Sequence, residues 1–141
     1  MDADDAGLCT LVTASCTTGW TEWIHGELWV SAQGVLRRPL GLWATIVHGV
    51  GPTVRASERP TRTLEDLRSS GDRGDLWIPW TSVVRAELRA GGPNDGLHVE
   101  LLDGRRVSFA WMAHDGARPY LSSVLPSILG ARLKESALGQ D

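Results

Sequence analysis

The stretch LHVELLDGRRVSFAW, residues 97–111, carries the clearest folding signal in this chain of 141 residues. Apolar and polar residues alternate on both sides of Asp103-Gly104, a pair typical of a two-residue type I′ turn. The alternating apolar residues are Leu97, Val99 and Leu101 before the turn, and Val107, Phe109 and Trp111 after it. A period of two residues predicts strands with one buried face, so the stretch is a predicted β-hairpin.

A second hairpin is predicted in the stretch GELWVSAQGVLRR, residues 26–38. The strand before its turn extends back to residue 21, and one predicted face carries Ile24, Leu28 and Val30. The turn SAQG ends at Gly34, a residue that tolerates positive φ. The opposite face of the first strand carries Trp23, His25, Glu27 and Trp29.

Further strands are predicted from shorter segments of the same kind. In residues 76–89, Val84, Ala86 and Leu88 are predicted to face the core, and Arg85, Glu87 and Arg89 the solvent. Weaker signals lie at residues 8–16, 35–39, 42–50 and 53–58. The chain is therefore predicted to contain seven or eight short strands.

The periodicity changes after Trp111 and predicts one terminal amphipathic helix. Its apolar residues follow helical spacing, at Leu121, Val124, Leu125, Ile128 and Leu129. Asp115 is the predicted N-cap and Pro119 suits the first turn. Pro126 falls inside the pattern, so a kink or two abutting helical pieces is expected.

Residues 59–75 form the most charged stretch of the chain. Thr63 followed by Asp66 is a capping signature, which predicts a single helical turn within a long loop.

Composition indicates an ordinary globular domain. The chain is 42% hydrophobic and 22% charged, with a net charge of −3 that gives no general attraction to nucleic acid. Residues 8–135 are predicted to form one domain between disordered tails at residues 1–7 and 136–141. The acidic first residues lack the basic start of a signal peptide, and no stretch is long enough to span a membrane, so a cytoplasmic location is expected.

Cys9 and Cys16 are the only cysteines. Seven residues apart in a strand, they are predicted to lie on opposite faces as free thiols. No Cys or His cluster has zinc-ligand spacing, so neither a metal nor a cofactor is expected.

Three motifs in their order give the chain a family resemblance. GELWVS at residues 26–31, IPWTSV at residues 78–83 and the Asp103-Gly104 hairpin, followed by a terminal helix, resemble bacterial PH-like and GRAM-like domains. The resemblance covers residues 21–134. It implies a mainly β fold, a strongly bent seven-stranded antiparallel barrel with one end plugged by the C-terminal amphipathic helix and an additional N-terminal strand as a variation.

The resemblance also implies a binding scaffold for phosphoinositides, peptides or partner domains. Phosphoinositide-binding members place basic residues around the loop of the first hairpin along the chain, which corresponds here to the hairpin at residues 26–38. Here that loop is Ser31-Ala32-Gln33-Gly34, which carries no charge, and this argues against phosphoinositide binding.

Seven residues are the candidate binding residues. Trp23, Trp29 and Trp43 lie opposite the predicted core face, so either that face meets a partner or the tryptophans line the interior. His48 ends a predicted strand beside Gly49 and Gly51. The remaining candidates, Arg37, Arg38 and Arg55, belong to a candidate anion-binding patch that also includes Arg59 and Arg62.

Two functions are compatible with these features. The first is a non-catalytic PH-like module that binds a protein partner or self-associates, favoured because no catalytic motif is present. The alternative is a small barrel that encloses an apolar ligand, such as a natural-product cyclase or isomerase acting through aromatic walls. The filling of the barrel interior distinguishes them, since an interior packed with Leu, Val and Phe supports the module.

Overall fold

The computed structural model describes residues 8–18, 26–39, 60–69, 75–113 and 116–136. Several predictions fall outside these ranges. They are the disordered tail at residues 1–7, the strands at residues 42–50 and 53–58, the cap at Asp115, and the candidate binding residues Trp23, Trp43, His48 and Arg55.

The described residues are mainly β, with nine strands and two α-helices. The strands are β1 (Leu8–Thr18), β2 (Gly26–Val30), β3 (Gly34–Pro39), β4 (Thr61–Thr63), β5 (Leu76–Pro79), β6 (Val83–Arg89), β7 (Asn94–Leu101), β8 (Arg106–Met112) and β9 (Leu133–Ser136). The helices are α1 (Leu64–Ser69) and α2 (Ala117–Leu129). A 3₁₀ turn follows β5 at Trp80–Ser82, and another follows α2 at Gly130–Arg132.

The long strand β1 belongs to two sheets. Its first part pairs with β4 and β2, and the first sheet continues through β3 to β5. Its last residues, Thr17 and Thr18, pair with β8 in the second sheet. The register of β1 against β2 shifts twice, after Leu11 and after Thr13, as expected where a strand bends between sheets.

The second sheet is mixed, which differs from the predicted seven antiparallel strands. β6, β7 and β8 form an antiparallel meander, and β9 pairs with β6 in parallel. β9 was not predicted, because only Leu133 is apolar in its sequence LKES and the alternation carries no signal. The helix is therefore followed by one more strand.

The main core lies between the sheets and α2. Its most deeply buried large side chains include Leu28, Leu97, Phe109, Trp111 and Leu121. The helix contributes a stripe at four-residue spacing, in which Ala117, Leu121, Leu125 and Leu129 are all buried. The predicted amphipathic helix near the C-terminus is confirmed, but it is not the last element, because β9 follows it.

Two details of the helix differ from prediction. α2 is one continuous helix through Pro126, not two pieces, and Pro126 lies on its exposed side. The N-cap residue is Gly116, at φ 74°, and it makes no side-chain cap hydrogen bond. Glycine is suited to this position because a left-handed φ carries little steric cost without a Cβ.

A second core covers the outer face of the first sheet. Cys9, Leu11, Trp29, Leu36 and Leu67 are buried together there, with α1 lying over the strands. The predicted helical turn is confirmed, and its cap is the hydrogen bond from the Asp66 backbone N–H to Thr63 Oγ1 at 3.1 Å. The first sheet is therefore covered on both faces.

The placement of Trp29 corrects an expectation. An exposed aromatic patch was one interpretation and an inverted sheet face the other, yet Trp29 is only 3% exposed while Leu28 and Val30 stay in the main core. Both faces of β2 are buried because Leu67 of α1 packs over the outer one. That helix is separated from β2 by more than thirty residues of sequence, so the strand pattern gave no indication of it.

The turn of the 97–111 hairpin also differs from prediction. Leu101 and Arg105 close a three-residue loop, in which the Leu101 N–H donates to the Arg105 carbonyl at 2.8 Å. The Gly104 N–H donates to the Leu101 carbonyl, and Gly104 has φ 88° while Asp103 does not have a positive φ. A type I′ turn needs positive φ at both central residues, so the loop belongs to the bulged three-residue type.

A register shift in β6 changes the face of one residue. The pairing with β7 slips between Val83 and Arg85, which buries Val83 and leaves Val84 40% exposed. The prediction that Val84 faces the core was therefore wrong. Ala86 and Leu88 are buried as predicted, because alternation resumes after the bulge.

The turn between β2 and β3 is tied to the 3₁₀ turn after β5. The Trp80 indole N–H donates to the Ser31 carbonyl at 2.9 Å, and the Trp80 backbone N–H donates to the Gln33 carbonyl at 2.9 Å. Ser31 Oγ accepts from the backbone N–H groups of Gln33 and Gly34. These contacts hold the GELWVS and IPWTSV motifs together.

Gly34 does not use a positive φ, contrary to expectation. It lies in β3 beneath Trp77, and a Cβ at this position would lie 2.5 Å from the Ile78 carbonyl oxygen and 2.6 Å from the Trp77 ring. Glycine is required there by close approach, not by turn geometry.

We expect Leu67→Ala to destabilise the protein by about 2–5 kcal/mol, because it leaves a cavity in the second core. Leu102→Ala is the matched control, since Leu102 is 73% exposed in the hairpin loop. Urea unfolding of both variants measures the difference. Equal effects would show that α1 does not pack as a core element.

We expect Gly34→Ala to destabilise the protein by about 1–3 kcal/mol, since its Cβ overpacks against Trp77 and Ile78. Gly92→Ala is the control, because a Cβ there meets no atom within 4 Å. Thermal unfolding followed by circular dichroism tests the pair. An unchanged midpoint for Gly34→Ala would contradict the close approach.

Candidate functional site

The described candidate binding residues do not form the predicted surface patch. Arg37 is 3% exposed and lies on the interior side of β3, where its Nη2 donates to the Cys16 carbonyl at 3.3 Å. A Cβ on Gly26 would lie 2.6 Å from Arg37 Nε, so the guanidinium stem passes directly over that glycine. Arg37 is therefore part of the core and is not available to a partner.

Trp29 and Arg38 lie on the other side of the same two strands. The buried Trp29 donates its indole N–H to Glu27 Oε1 at 3.2 Å, and Glu27 stands directly opposite the half-buried Arg38. These polar contacts lie at the edge of the second core. They satisfy the indole N–H of Trp29, so this aromatic residue can lie on a face that the sequence pattern assigns to solvent.

The structure instead indicates a site on the outer face of the second sheet. An open groove of about 730 Å³ crosses this face, a volume typical of ligand sites. We call it the second-sheet groove. It is lined by Val84, Arg85, Ala86, Glu87, Arg89, His98, Val99, Glu100, Arg106, Val107, Ser108, Ala131, Arg132, Leu133 and Lys134.

Strand register aligns the polar residues of the groove in rows across the sheet. The central row consists of Lys134 on β9, Glu87 on β6, His98 on β7 and Ser108 on β8, each opposite the next. Side chains opposite one another in a sheet lie within contact distance. Four strands therefore contribute one continuous line of polar groups.

A neighbouring row contains Arg85, Glu100 and Arg106, again in direct register. Arg85 Nε lies 3.5 Å from Glu100 Oε2, and the Arg85 side chain is 76% exposed. Arg106 is exposed and has no ion-pair partner within the described part of the chain. The row therefore presents two exposed guanidinium groups on either side of one carboxylate.

His98 lies at the centre of the groove. Its Nδ1 and Ser108 Oγ are 2.8 Å apart, and a Cβ on Gly96 would lie 3.4 Å from its Nε2, so the ring extends along β7 over that glycine. Burial lowers the pKa of His98 below its ordinary value, and the positive charge of Arg89 lowers it further. The imidazole is therefore harder to protonate than that of an ordinary histidine.

The carboxylate beside His98 is held by cations. Glu87 Oε1 accepts a hydrogen bond from Arg89 Nε, and Glu87 Oε2 lies 3.8 Å from Lys134 Nζ. A serine and a histidine at 2.8 Å resemble a nucleophile and its base, which also need a third group to orient the base. The carboxylate opposite His98, Glu87, is engaged by Arg89 and Lys134 instead.

The wall of the groove beside β6 is fixed by Arg132. Its Nη1 donates to the carbonyl oxygens of Trp80 and Val83, both at 2.8 Å. This residue ties the end of α2 to the start of β6 and so positions β9 against the sheet. The Arg132 guanidinium therefore has a structural role, and its positive charge also contributes to the electrostatic potential of the groove.

The groove is more cationic than the chain. Its lining holds five Arg and Lys residues against two Glu residues, whereas the whole chain has a net charge of −3. The solvent-facing alternation of Arg85, Glu87 and Arg89 was visible in the sequence. The residues of β7, β8 and β9 that lie opposite these three follow only from the strand register. The sequence therefore did not predict the site.

The cysteines lie on opposite sides of the first sheet, as their spacing predicts. Cys9 is in the second core and Cys16 in the main core, and neither forms a disulfide. Burial raises the pKa of the Cys9 thiol, and a hydrogen bond with Ser31 offsets part of that rise. Neither thiol is accessible to a ligand in the groove.

We expect acidification to destabilise the folded protein through His98. Its folded-state pKa lies below the unfolded value, so the unfolded chain binds the proton more tightly and stability is lost as pH falls from about 6.5 through the folded pKa. The thermal midpoint of His98→Gln should fall less than that of the wild type between pH 7 and pH 5. Identical pH profiles would contradict this role.

Two sequence comparisons find no match for this chain. No model of a known protein family matches it, and no curated protein is similar enough in sequence to be counted as related.

In the described residues, no helix has the length and apolar character needed to cross a membrane, and no three His, Cys, Asp or Glu side chains form a group able to hold a metal ion. The chemistry of the groove is therefore the basis for assigning a function.

Proposed function

We propose that the chain is a non-catalytic PH-like binding module that engages a protein partner through the second-sheet groove. The proposal joins the motif order in the sequence to the position of the groove. Its main support is the register-aligned set of polar side chains on the uncovered face of the second sheet.

The strand order is consistent with a PH-like architecture. Successive strands β1, β2 and β3 are neighbours, as are β6, β7 and β8, and β1 links the two groups. A C-terminal helix packs into the apolar space between them. The parallel strand β9 and the covering helix α1 would be additions of this chain to the PH-like arrangement.

The packing of the core argues for a module and against an enclosed apolar ligand. The space between the sheets is occupied by side chains that are almost wholly buried, such as Phe109, Trp111 and Leu125. Ligand-enclosing barrels need an interior volume of about 300 Å³ or more. An open groove on the outer face therefore supports the binding of an external partner.

The turn between β2 and β3 does not favour a phosphoinositide ligand. The Ser31 hydroxyl already accepts two backbone N–H groups, and the turn carries no cation. Four exposed cations, Arg85, Arg89, Arg106 and Lys134, lie together instead in the groove on the outer face of the second sheet. A partner that reaches that face is the better match.

We expect peptides selected from an unbiased displayed library against the full chain to bind in this groove. Amide resonances of β6, β7 and β8 should shift on binding. Ser108→Tyr should weaken binding by about tenfold or more, because the ring fills the centre of the groove. Thr61→Tyr is the control, since Thr61 is exposed on β4, away from the groove.

Two results would contradict the proposal. One is that selected peptides shift resonances elsewhere and bind Ser108→Tyr as tightly as the wild type. The other is that the library yields no binder and the purified chain turns over a substrate.

A further inference from the structure

We infer that the second-sheet groove recognises an extended peptide segment with carboxylate side chains four residues apart. This inference rests on the proposed function and names the chemistry of the partner. It follows from the charge of the groove, the spacing of its cations and the chemical types that its lining contains.

The cations that border the groove are available to a ligand. Arg85 and Lys134 have side chains that are 76% and 69% exposed, and their ion pairs are at 3.5 and 3.8 Å. Exposed ion pairs contribute little stability, so a ligand carboxylate can compete for these groups. Arg106 is exposed without an ion-pair partner in the described residues, so it can bind a carboxylate without breaking a contact.

The spacing of the cations matches an extended peptide. Arg85 and Arg89 are four residues apart on one face of β6, which is about 14 Å at the usual rise of a strand. In an extended ligand, residues i, i+2 and i+4 share one face and cover the same distance. A peptide running along β6 therefore brings the side chains of residues i and i+4 to Arg85 and Arg89, and that of residue i+2 to Glu87 between them.

The carboxylates of the groove restrict which anion fits. Glu87 and Glu100 are 21% and 32% exposed, less than the arginines around them. Glu87 lies between Arg85 and Arg89 along β6, and Glu100 lies opposite both Arg85 and Arg106. A ligand with a negative charge at every unit, or at every second residue of a peptide, would place a charge against Glu87. A peptide with carboxylates four residues apart presents an uncharged residue there instead.

The lining disfavours nucleic acid. Single-stranded nucleic acid is bound largely by stacking of bases on aromatic side chains, together with continuous contacts to phosphates. The groove is lined by aliphatic, charged and small polar residues and one imidazole, His98, with no Trp, Tyr or Phe among them. A peptide is therefore the favoured class of macromolecule.

The test compares labelled peptides of equal length and equal number of charged residues by fluorescence anisotropy with the full chain. The probes are repeats of Glu-Ser-Ser-Ser (the spaced acidic peptide), a block of the same Glu residues followed by the same Ser residues, and repeats of Lys-Ser-Ser-Ser. We expect the spaced acidic peptide to bind about fivefold or more tighter than the block, with affinity falling as salt rises. Equal binding of the two acidic peptides, or tighter binding of the lysine peptide, would overturn the inference.

Variants locate the binding. The double variant Arg85→Glu and Arg106→Glu should weaken binding of the spaced acidic peptide by about tenfold, because both changes remove attraction and add repulsion. Arg105→Glu is the matched control, since Arg105 is an exposed arginine of the neighbouring hairpin loop that pairs with Asp103 outside the groove. We expect its affinity to stay within about twofold of the wild type. An equal loss in the control would overturn the inference.

Competition separates failure of this inference from failure of the proposed function. The competitors are a 12-nucleotide single strand and inorganic phosphate. If either displaces the acidic peptide when its concentration is lower than that of the peptide, the peptide assignment is wrong although the groove remains a ligand site. If library peptides without carboxylates shift the groove resonances and acidic peptides do not, the inference is likewise wrong and the proposed function stands. If no probe of any kind shifts those resonances, both are overturned.

Discussion

The hydrogen bonds of Trp80 join the parts of this protein. Its backbone N–H donates to the Gln33 carbonyl and its indole N–H to the Ser31 carbonyl, both in the turn between β2 and β3. Its own carbonyl accepts a hydrogen bond from Arg132, just after α2. The side chain is 3% exposed within the main core. A buried indole N–H without a partner is costly, so these contacts fix the relative positions of the first sheet, the second sheet and the helix. The wall of the groove depends on them, because Arg132 borders it.

The two sheets differ in how they are covered, and this difference places the candidate site. The first sheet has the main core on one face and the second core, closed by α1, on the other. The second sheet has the main core on one face only, and its other face carries charged and polar residues. Because both faces of the first sheet are covered, the successive residues Leu28, Trp29 and Val30 are all buried. The partly solvated face of β6, β7 and β8 leaves a surface that a partner can reach.

The motifs that suggest a family have local physical reasons in this chain. Gly26 lies beneath the stem of Arg37 and Gly34 beneath the ring of Trp77, so both glycines serve close packing. Ile78 and Trp80 fill the core next to the hairpin that Ser31 and Gly34 close. Motifs separated by about fifty residues therefore meet in one contact, which is a reason for their occurring together. The pattern of each motif predicts a strand, but not this contact.

The sequence by itself determined the elements whose signal is local. The strands around Asp103-Gly104 follow from alternation, the helix from the four-residue stripe that includes Leu121 and Leu125, and the helical turn from the cap at Thr63. Tertiary structure decided what those elements face. Trp29 is buried because a distant helix covers it, and β9 forms because the chain returns to β6 after α2. The central row of the groove joins Glu87, His98, Ser108 and Lys134, which are spread over almost fifty residues. Their alignment depends on strand register and on one bulge in β6, and neither is specified by the period of any single segment.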